Sequence, residues 1–466
     1  MNRIISIFAL AAMAVPAMAQ QTLTLDSCRA MALGNNKTLT ASKVQRTMAE
    51  QTRKAARTKY LPHLDVIGGA IFSSKEISIL NNTQKSTLNN IGTNLGGMLG
   101  VTDPRVTGAL DKIGQGVTDA FRTNNRQMYM VSAMLTQPVY MGGAITAANR
   151  MADIAETMAA NKEEASRQAI LHDIDNTYWT VVSLRHKQKL ADSYLTLVKK
   201  LDNDVEKMIK EGVATRADGL KVNVKVNEAE MQVTQVEDGL SLAKMLLCQL
   251  CGMPIESRIT LSDESSENID LGESIAIGDT AQAIGQRPEV GLLQNAVDLS
   301  KESTKLVRSA FLPQVLLAGG YLMTNPNVYD GFTKKFAGVW NIGVMVRIPV
   351  WNWLEGTYKV RAAKAATTIA TLEMDETKEK IALQISQSNF KLNEAYKKLS
   401  MAKKNVEKAE ENLRCANVGF KEGVLQTTDV MEAQTAWMQA QSQKIDAEVD
   451  VKISQVNLKK ALGVLN

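Results

Sequence analysis

Proline is scarce in this sequence, with nine in 466 residues, and aromatic side chains make up only 5% of it. So little proline suits long uninterrupted helices better than a compact mixed core. After the first twenty residues, no stretch reaches the roughly 18 consecutive apolar residues that a membrane-spanning helix needs. If the chain enters a membrane, we therefore expect it to do so as β-strands.

Histidine and cysteine are also few, which bears on metals and cofactors. The three histidines (His63, His172 and His186) each stand alone, which argues against a zinc or copper site. Cys248 and Cys251 have the C-x-x-C spacing of a disulfide or a metal site. Cys251, however, matches the apolar Leu462 in the second half of the chain, which favours ordinary helix positions. We expect no metal and no cofactor, and the sequence leaves a disulfide between the two cysteines open.

Two further classes of protein are disfavoured. The sequence offers no nucleophile with a base and an orienting group, and no glycine-rich phosphate loop. The net charge of +5 is small and spread along the chain. We therefore expect neither an enzyme nor a nucleic-acid-binding protein.

Residues 1–19 are typical of a secretory signal peptide. Asn2-Arg3 is followed by an apolar stretch from Ile4 to Val15 and by the cleavage pattern Ala17-Met18-Ala19. We expect the mature chain to begin at Gln20 and to lie outside the cytoplasm.

The two halves of the chain repeat one pattern. An offset of 211 residues places Pro138 on Pro349, Glu211-Gly212-Val213 on Glu422-Gly423-Val424, and Asp218 on Asp429. An offset of 251 places Leu61-Pro62 on Leu312-Pro313, and since the offsets differ by 40, the first copy is longer by about 40 residues. We predict repeats at 20–252 and 281–466, joined by an acidic linker at 253–280 that forms a surface belt.

Each copy predicts a helix, two strands, a very long helix and a shorter returning helix. The predicted strands are 62–73 and 127–139 in the first copy, and 312–323 and 338–350 in the second. Alternating side chains give each copy an apolar and a mixed face, as in a lipid-facing strand with a wetter interior. Tyr129 and Trp340 begin the apolar faces, where an aromatic residue at a membrane interface would lie.

The long helices show an apolar stripe of coiled-coil spacing and end at two similar turns. In the turns, Gly212 and Gly423 accept the left-handed conformation that ends one helix before the next begins. Asp429 and Glu432 follow in the first turn of the last helix and share one face. The helix dipole also stabilises carboxylates at the start of a helix, so helix initiation is the simpler interpretation of these two residues.

The extra residues of the first copy form a predicted loop at 74–126. Within it, Ile91–Gly100 is glycine-rich and typical of a loop, whereas Val106, Leu110, Ile113 and Val117 predict a short amphipathic helix. Four strands cannot close a barrel alone, and open sheet edges are not tolerated in lipid. Oligomerisation is therefore required, with eight strands for two chains or twelve for three, and the residues favour neither.

Several segments, in this order and twice, carry a family resemblance. They are ALGNN and AIGQRPE near the start of each copy, TQPVYMGG and RIPVWNW at the strand exits, EGVATRADGL and EGVLQTTDVMEAQ at the turns, and KKALGVLN at the end. Over essentially the whole mature chain, the sequence resembles the TolC-type outer-membrane efflux channels, the outer membrane factor family.

The resemblance implies a mainly α fold with a membrane β-barrel: a homotrimer whose twelve-stranded barrel in outer-membrane lipid continues into a periplasmic α-helical barrel. It implies a passive exit duct of a Gram-negative bacterium, working with a periplasmic adaptor and an inner-membrane pump of the RND or ABC type. In this topology the loop 74–126 is extracellular, and the turn at 421–429 is a periplasmic tip. The cargo is not implied.

The resemblance also assigns roles at the tips. Asp429 and Glu432 match the acidic constriction of the pore, so that a trimer would carry a ring of six carboxylates. Asp218 and Arg216 are candidates for a closing network between tips, because the second tip has Leu425 where the TolC pattern can place an arginine. The tip turns themselves are expected to dock the adaptor (Gly212, Val213, Gly423, Val424). The alternative is a periplasmic coiled-coil adaptor or structural protein of an export complex.

Overall fold

The computed structural model describes residues 21–76, 78–101, 103–123, 125–266, 269–272 and 280–465. The predicted signal peptide and part of the predicted acidic linker lie outside these residues. The first part of the chain contains β1 (Gln21–Leu23), α1 (Leu25–Asn35), α2 (Lys37–Thr58), β2 (His63–Phe72), α3 (Asn82–Asn89), α4 (Ile91–Leu99), α5 (Pro104–Ala120), β3 (Gln127–Met141), α6 (Ala144–Lys210), α7 (Arg216–Cys251) and β4 (Ile259–Leu261). The second part contains α8 (Thr280–Gln286), α9 (Pro288–Ser309), β5 (Gln314–Asn325), β6 (Ala337–Arg347), α10 (Glu355–Lys421) and α11 (Thr427–Ala461).

The chain divides into two compact units. The helical unit comprises the described part of Met1–Gln51 together with Asp153–Ser300 and Ala366–Asn466. The sheet unit comprises Thr52–Ala152 and Lys301–Ala365. None of the described helices is both long and apolar enough to cross a membrane.

The helical unit is held together by narrow apolar stripes. On α10 the buried residues recur at steps of three, four and seven: Met374, Ile381, Ile385, Leu392, Ala395, Leu399, Ala402, Val406, Leu413, Ala416 and Phe420. The spacing places them on one face of the helix, and large side chains alternate with alanine, which allows neighbouring helices to approach closely. Burial therefore follows the apolar stripe that the sequence predicts. The strands β1 and β4 pair in parallel in this unit.

The sheet unit contains a four-stranded antiparallel sheet with the strand order β2-β3-β5-β6. Directly paired residues share a face, so the register places Val66, Ala133, Tyr321 and Trp340 on the same side. That side also carries Leu64, Leu135, Ile342, Val344 and Val346, and these side chains are exposed. The opposite side holds polar residues such as Asp65, Ser132, Asn341 and Arg347. The sheet is thus apolar on one side and mixed on the other.

The segment between β2 and β3 differs from the prediction. The expected amphipathic helix is present within α5, but the glycine-rich segment Ile91–Gly100, predicted as a loop, forms α4. Its glycines let the helices approach: a Cβ at Gly92 would lie 2.0 Å from the Thr107 carbonyl oxygen. The Asp111 carboxylate accepts hydrogen bonds from the backbone N–H of Gly92 and Thr93 at 2.7 and 3.1 Å, which stabilises the start of α4.

Candidate functional site

Two tight turns reverse the chain between the long helices of the helical unit. In the first turn, Val213 N–H donates to the Met208 carbonyl at 2.9 Å, and in the second, Val424 N–H donates to the Gly419 carbonyl at 2.8 Å. Gly212 and Gly423 have φ values of 75° and 71°, the left-handed region that glycine reaches without strain. Val213 and Val424 are 71% and 78% exposed, so each turn presents an apolar side chain to its surroundings.

The helices behind the two turns share one apolar core. It includes Val205 of α6, Val222 of α7, Phe420 of α10 and Val430 of α11. Both turns are therefore placed side by side by the same packing.

The first turn begins α7 with a complete capping box. Thr215 Oγ1 accepts from Asp218 N–H at 3.2 Å, and Asp218 Oδ2 accepts from Thr215 N–H at 3.2 Å and from its hydroxyl at 2.6 Å. The hydrogen bond that the Thr215 hydroxyl donates is the main reason that the pKa of Asp218 lies below its usual value. Asp218 therefore stabilises the start of α7.

The second turn begins α11 with only half of this arrangement. Asp429 Oδ2 accepts from Gln426 N–H at 2.8 Å, while the Gln426 side chain makes no capping hydrogen bond. Glu432, one turn further along, is exposed. Two carboxylates therefore lie on one face at the start of α11.

Arg216 and Asp218 do not pair with each other within the described chain. The cation beside Asp218 is Lys221, whose Nζ lies 3.5 Å from Oδ1. Arg216 is exposed at the first position of α7. In the second turn Leu425 packs on Gly419, where an added Cβ would lie 2.8 Å from Leu425 Cδ1. At the position where the TolC pattern can place an arginine, this chain therefore has an apolar contact within the turn.

A cavity of about 720 Å³ lies between the helices behind the turns. Its walls include Leu201, Met208 and Phe420, with Lys200 and Glu422 among the charged residues that line it. Gln434 also lines the cavity; it is 3% exposed, and its Oε1 is a buried atom without a hydrogen-bond partner in the described structure. Sequence reasoning missed Gln434, although a glutamine at a stripe position beside Val430 and Ala433 is the signal that identifies it.

The predicted interface aromatics lie on the apolar side of the sheet. The Tyr129 ring meets the Phe72 ring edge to face at 6.1 Å between centroids. Trp340 is 74% exposed and pairs with Tyr321, whose ring covers Gly338. Phe72 and Tyr129 lie at the sheet end nearest the β2–β3 connection, whereas Tyr321 and Trp340 lie at the level of Ala133, four residues further in.

Further aromatics follow the opposite end of the strands. Trp351 and Trp353 come directly after β6, with 5.8 Å between their ring centroids, and both are exposed. Tyr140, near the end of β3, is exposed as well. Sequence reasoning read Trp351 and Trp353 only as part of a strand-exit motif, and it missed Phe72 and Tyr321.

Comparison with known proteins gives consistent matches. The family described as "Outer membrane efflux protein" matches residues 29–253 and 280–464. The outer membrane efflux protein BepC of Brucella suis biovar 1 (strain 1330) is 23% identical over 367 residues, which is 77% of each chain.

Solved structures share the fold. The outer-membrane channel OprN aligns with a TM-score of 0.75 and 15% identity, over 94% of this chain and 89% of its own. The outer membrane protein VceC of Vibrio cholerae aligns with a TM-score of 0.73 and 15% identity, over 94% of this chain and 96% of its own.

Proposed function

The chain belongs to the outer membrane efflux protein family and resides in the outer membrane, and we propose that it is the passive exit duct of a tripartite efflux or secretion system. In this proposal three chains form the duct. A periplasmic adaptor and an inner-membrane pump complete the system, and docking opens the duct at its helical turns.

The open, two-sided sheet carries this proposal. Strands β2 and β6 are edge strands with exposed apolar side chains on one side of the sheet. An isolated sheet of this kind would leave both its edges and its apolar side uncovered, which is unfavourable in water and in lipid. Three copies joined edge to edge would supply twelve strands, with the apolar side toward lipid and the mixed side toward a wet lumen.

The strand lengths and the aromatics support a membrane barrel. Strands β2 and β6 have 10 and 11 residues, the length that crosses a bilayer when tilted. Tyr129 near one end of the sheet, and Trp351 and Trp353 beyond the other, fit the two interfacial girdles of such barrels. Trp340 lies on the same side as Tyr129, at the level of Ala133.

The element order supports an internal duplication. Helix α2 leads into β2, β3, α6 and α7, and α9 leads into β5, β6, α10 and α11, apart from the insertion of α3, α4 and α5. Both α6 and α10 have 67 residues. Helices of this length with narrow buried stripes suit the wall of a helical barrel that has water on both sides.

The turns are the proposed periplasmic mouth. Asp429 accepts a hydrogen bond from Gln426 N–H through one carboxylate oxygen. With exposed Glu432 it would give six carboxylates around the axis of a trimer, a ring that attracts cations. The exposed Val213 and Val424, carried by the glycine turns, would contact the adaptor.

Arg216 is proposed to close the mouth with Asp218 or another carboxylate of a neighbouring chain. A cation at the first position of a helix opposes the helix dipole, so local stability gives no reason for an arginine there. The Arg216→Ala variant is then expected to raise the leak of the closed channel without a loss of stability.

The decisive experiment is reconstitution. The protein is extracted from outer membranes, its native mass in detergent is determined by light scattering, and its conductance is recorded in planar bilayers. We expect a mass of three chains and discrete conductance steps. A monomer that stays in the soluble periplasmic fraction would instead support an adaptor role.

A further inference from the structure

Three of the four cysteines lie together in the core of the helical unit. Cys28 comes from α1, whereas Cys248 and Cys251 come from the last turn of α7, and all three are fully buried. They belong to one apolar cluster. Cys415 is exposed on α10.

Helix α1 and the end of α7 are in close contact. Asn36, which ends α1, donates from Nδ2 to the Leu250 carbonyl at 3.1 Å. A Cβ added at Gly252, which ends α7, would lie 2.6 Å from Asn35 Cβ. The two helix ends are therefore fixed against each other on both sides of the cysteines.

Within this contact the two thiols of the C-x-x-C segment have different partners. In the structure Cys28 and Cys251 are both free thiols, and the Cys251 Sγ lies 3.7 Å from the Cys28 carbonyl oxygen. The pKa of the Cys28 thiol is lowered and that of the Cys251 thiol is raised, chiefly because the two side chains interact. The Cys248 Sγ instead lies 3.8 Å from the Ser257 carbonyl oxygen, in the segment after α7. Cys251 thus contacts Cys28, whereas the Cys248 thiol contacts the segment after α7.

A metal site does not account for the cluster. Among the residues that the structure describes, no group of three or more His, Cys, Asp or Glu side chains could hold a metal ion. Two interacting thiols in a compartment outside the cytoplasm are suited to a disulfide, because such compartments are oxidising.

We propose that Cys28 and Cys251 form a disulfide in the mature protein, while Cys248 remains a thiol. The reaction is a thiol–disulfide exchange with a disulfide-bearing oxidant of the cell envelope. The Cys28 and Cys251 thiols each lose a proton, one S–S bond forms between them, and the S–S bond of the oxidant is reduced to two thiols.

The bond would tie α1 to the end of α7 across 223 residues of chain. Closing so long a loop restricts the unfolded chain, in which the two segments are otherwise independent. The N-terminal helix would then stay attached to the helical unit under conditions that loosen the non-covalent contacts.

The test counts free thiols in the full-length protein. Cells are quenched with acid, thiols are blocked with N-ethylmaleimide under denaturing conditions, and tryptic peptides are measured by mass spectrometry without reduction. Trypsin leaves Cys28 in a peptide that ends at Arg29, and both Cys248 and Cys251 in the peptide Met245–Arg258. We expect these two peptides to be linked, with maleimide on Cys248 and on Cys415.

Every other pattern overturns the proposal. Maleimide on all four cysteines shows a reduced protein, and an internal loss of two hydrogens in Met245–Arg258 shows a bond between Cys248 and Cys251. Maleimide on Cys251 within a linked pair shows a bond from Cys28 to Cys248. The Cys415→Ser variant is the matched control and must keep the link between Cys28 and Cys251, because Cys415 is exposed and far from the cluster in sequence.

Discussion

Arg29 holds the buried carboxylate of Asp175 with two hydrogen bonds, one of them from Nε to Oδ1 at 2.7 Å. Asp175 is fully buried on α6, and Arg29 lies on α1, so the pair joins two helices that are 146 residues apart in sequence. The hydrogen bonding of the Arg29 guanidinium to the Asp175 carboxylate is also the main reason that the pKa of Arg29 is raised. The helical unit thus contains a bidentate ion pair whose acid has no contact with solvent.

The Arg29→Gln variant is expected to lose about 3–5 kcal/mol of stability, because it leaves a buried carboxylate without its cation. Asp175→Asn should cost less, since no charge is then buried. Thermal unfolding in detergent measures both variants. The control is Asp26→Asn, because Asp26 is exposed and its oxygen lies 3.6 Å from Arg29. Equal effects of Arg29→Gln and Asp26→Asn would contradict the assigned role of the buried pair.

The two sides of the sheet can be distinguished by neighbouring substitutions. Val344 lies on the apolar side and Met345 on the mixed side, and both are 65% exposed in the single chain. If the apolar side faces lipid, Val344→Lys should cost about 2–4 kcal/mol near the bilayer midplane. Met345→Lys should be tolerated and should shift ion selectivity toward anions.

The measurements are the yield of folded protein in the outer membrane and the selectivity in planar bilayers. Similar yields for the two lysine variants would mean that neither side meets lipid. A lower yield for Met345→Lys alone would reverse the proposed orientation of the sheet.

The proposed acidic ring predicts a change in ion preference. Removing the charges of Asp429 and Glu432 should lower the preference for cations several-fold, since each substitution acts three times around the axis. Asp429→Asn is the more specific substitution at this position, because the amide oxygen of asparagine can still accept from Gln426 N–H while the charge is lost.

The double variant Asp429→Asn, Glu432→Gln is therefore compared with Glu407→Gln in planar bilayers. Glu407 is an exposed glutamate on α10, away from the two turns, and its loss should leave the ion preference unchanged. An unchanged reversal potential in the double variant would remove these residues from the gate.

Much of the fold could be predicted because its signals are local. Prolines, glycine turns and the periods of apolar residues depend on a few neighbouring positions, and they locate the long helices, the turns and the strands. Contacts between distant segments could not be read in this way. The glycines of α4 indicate a loop by composition, and only their approach to α5 explains why they form a helix. The same holds for Leu425 on Gly419, and for Cys28 beside Cys251, where no local period links the partners.

The contact between α4 and α5 can be tested with a matched pair of glycines. Gly92→Ala would place a Cβ 2.0 Å from the Thr107 carbonyl oxygen, whereas Gly97→Ala meets nothing within 4 Å. The first substitution should separate the helices, and the second should stabilise α4 by up to about 1 kcal/mol through helix propensity. Limited proteolysis of the purified protein measures the difference. Equal cleavage of the two variants would show that α4 and α5 do not pack as described.

Glu448 predicts a pH dependence of stability. It is 4% exposed on α11, with Lys444 Nζ 3.8 Å from its carboxylate. Burial raises the pKa of Glu448 above its usual 4.5, and the nearby cations of Lys444 and Lys403 only partly oppose this. Between the unfolded and the folded pKa, the folded state binds more protons, so this residue lowers stability as the pH rises above about 4.5.

The Glu448→Gln variant should therefore have a higher Tm than the unaltered protein at pH 8, and the difference should vanish at pH 4, where the acid is protonated in both states. The control is Glu407→Gln, because Glu407 is an exposed glutamate on α10 beside Lys408. This variant should show no such gain at pH 8. A lower Tm for Glu448→Gln at pH 8 would mean that the attraction of Lys444 and Lys403 exceeds the cost of burying the charge.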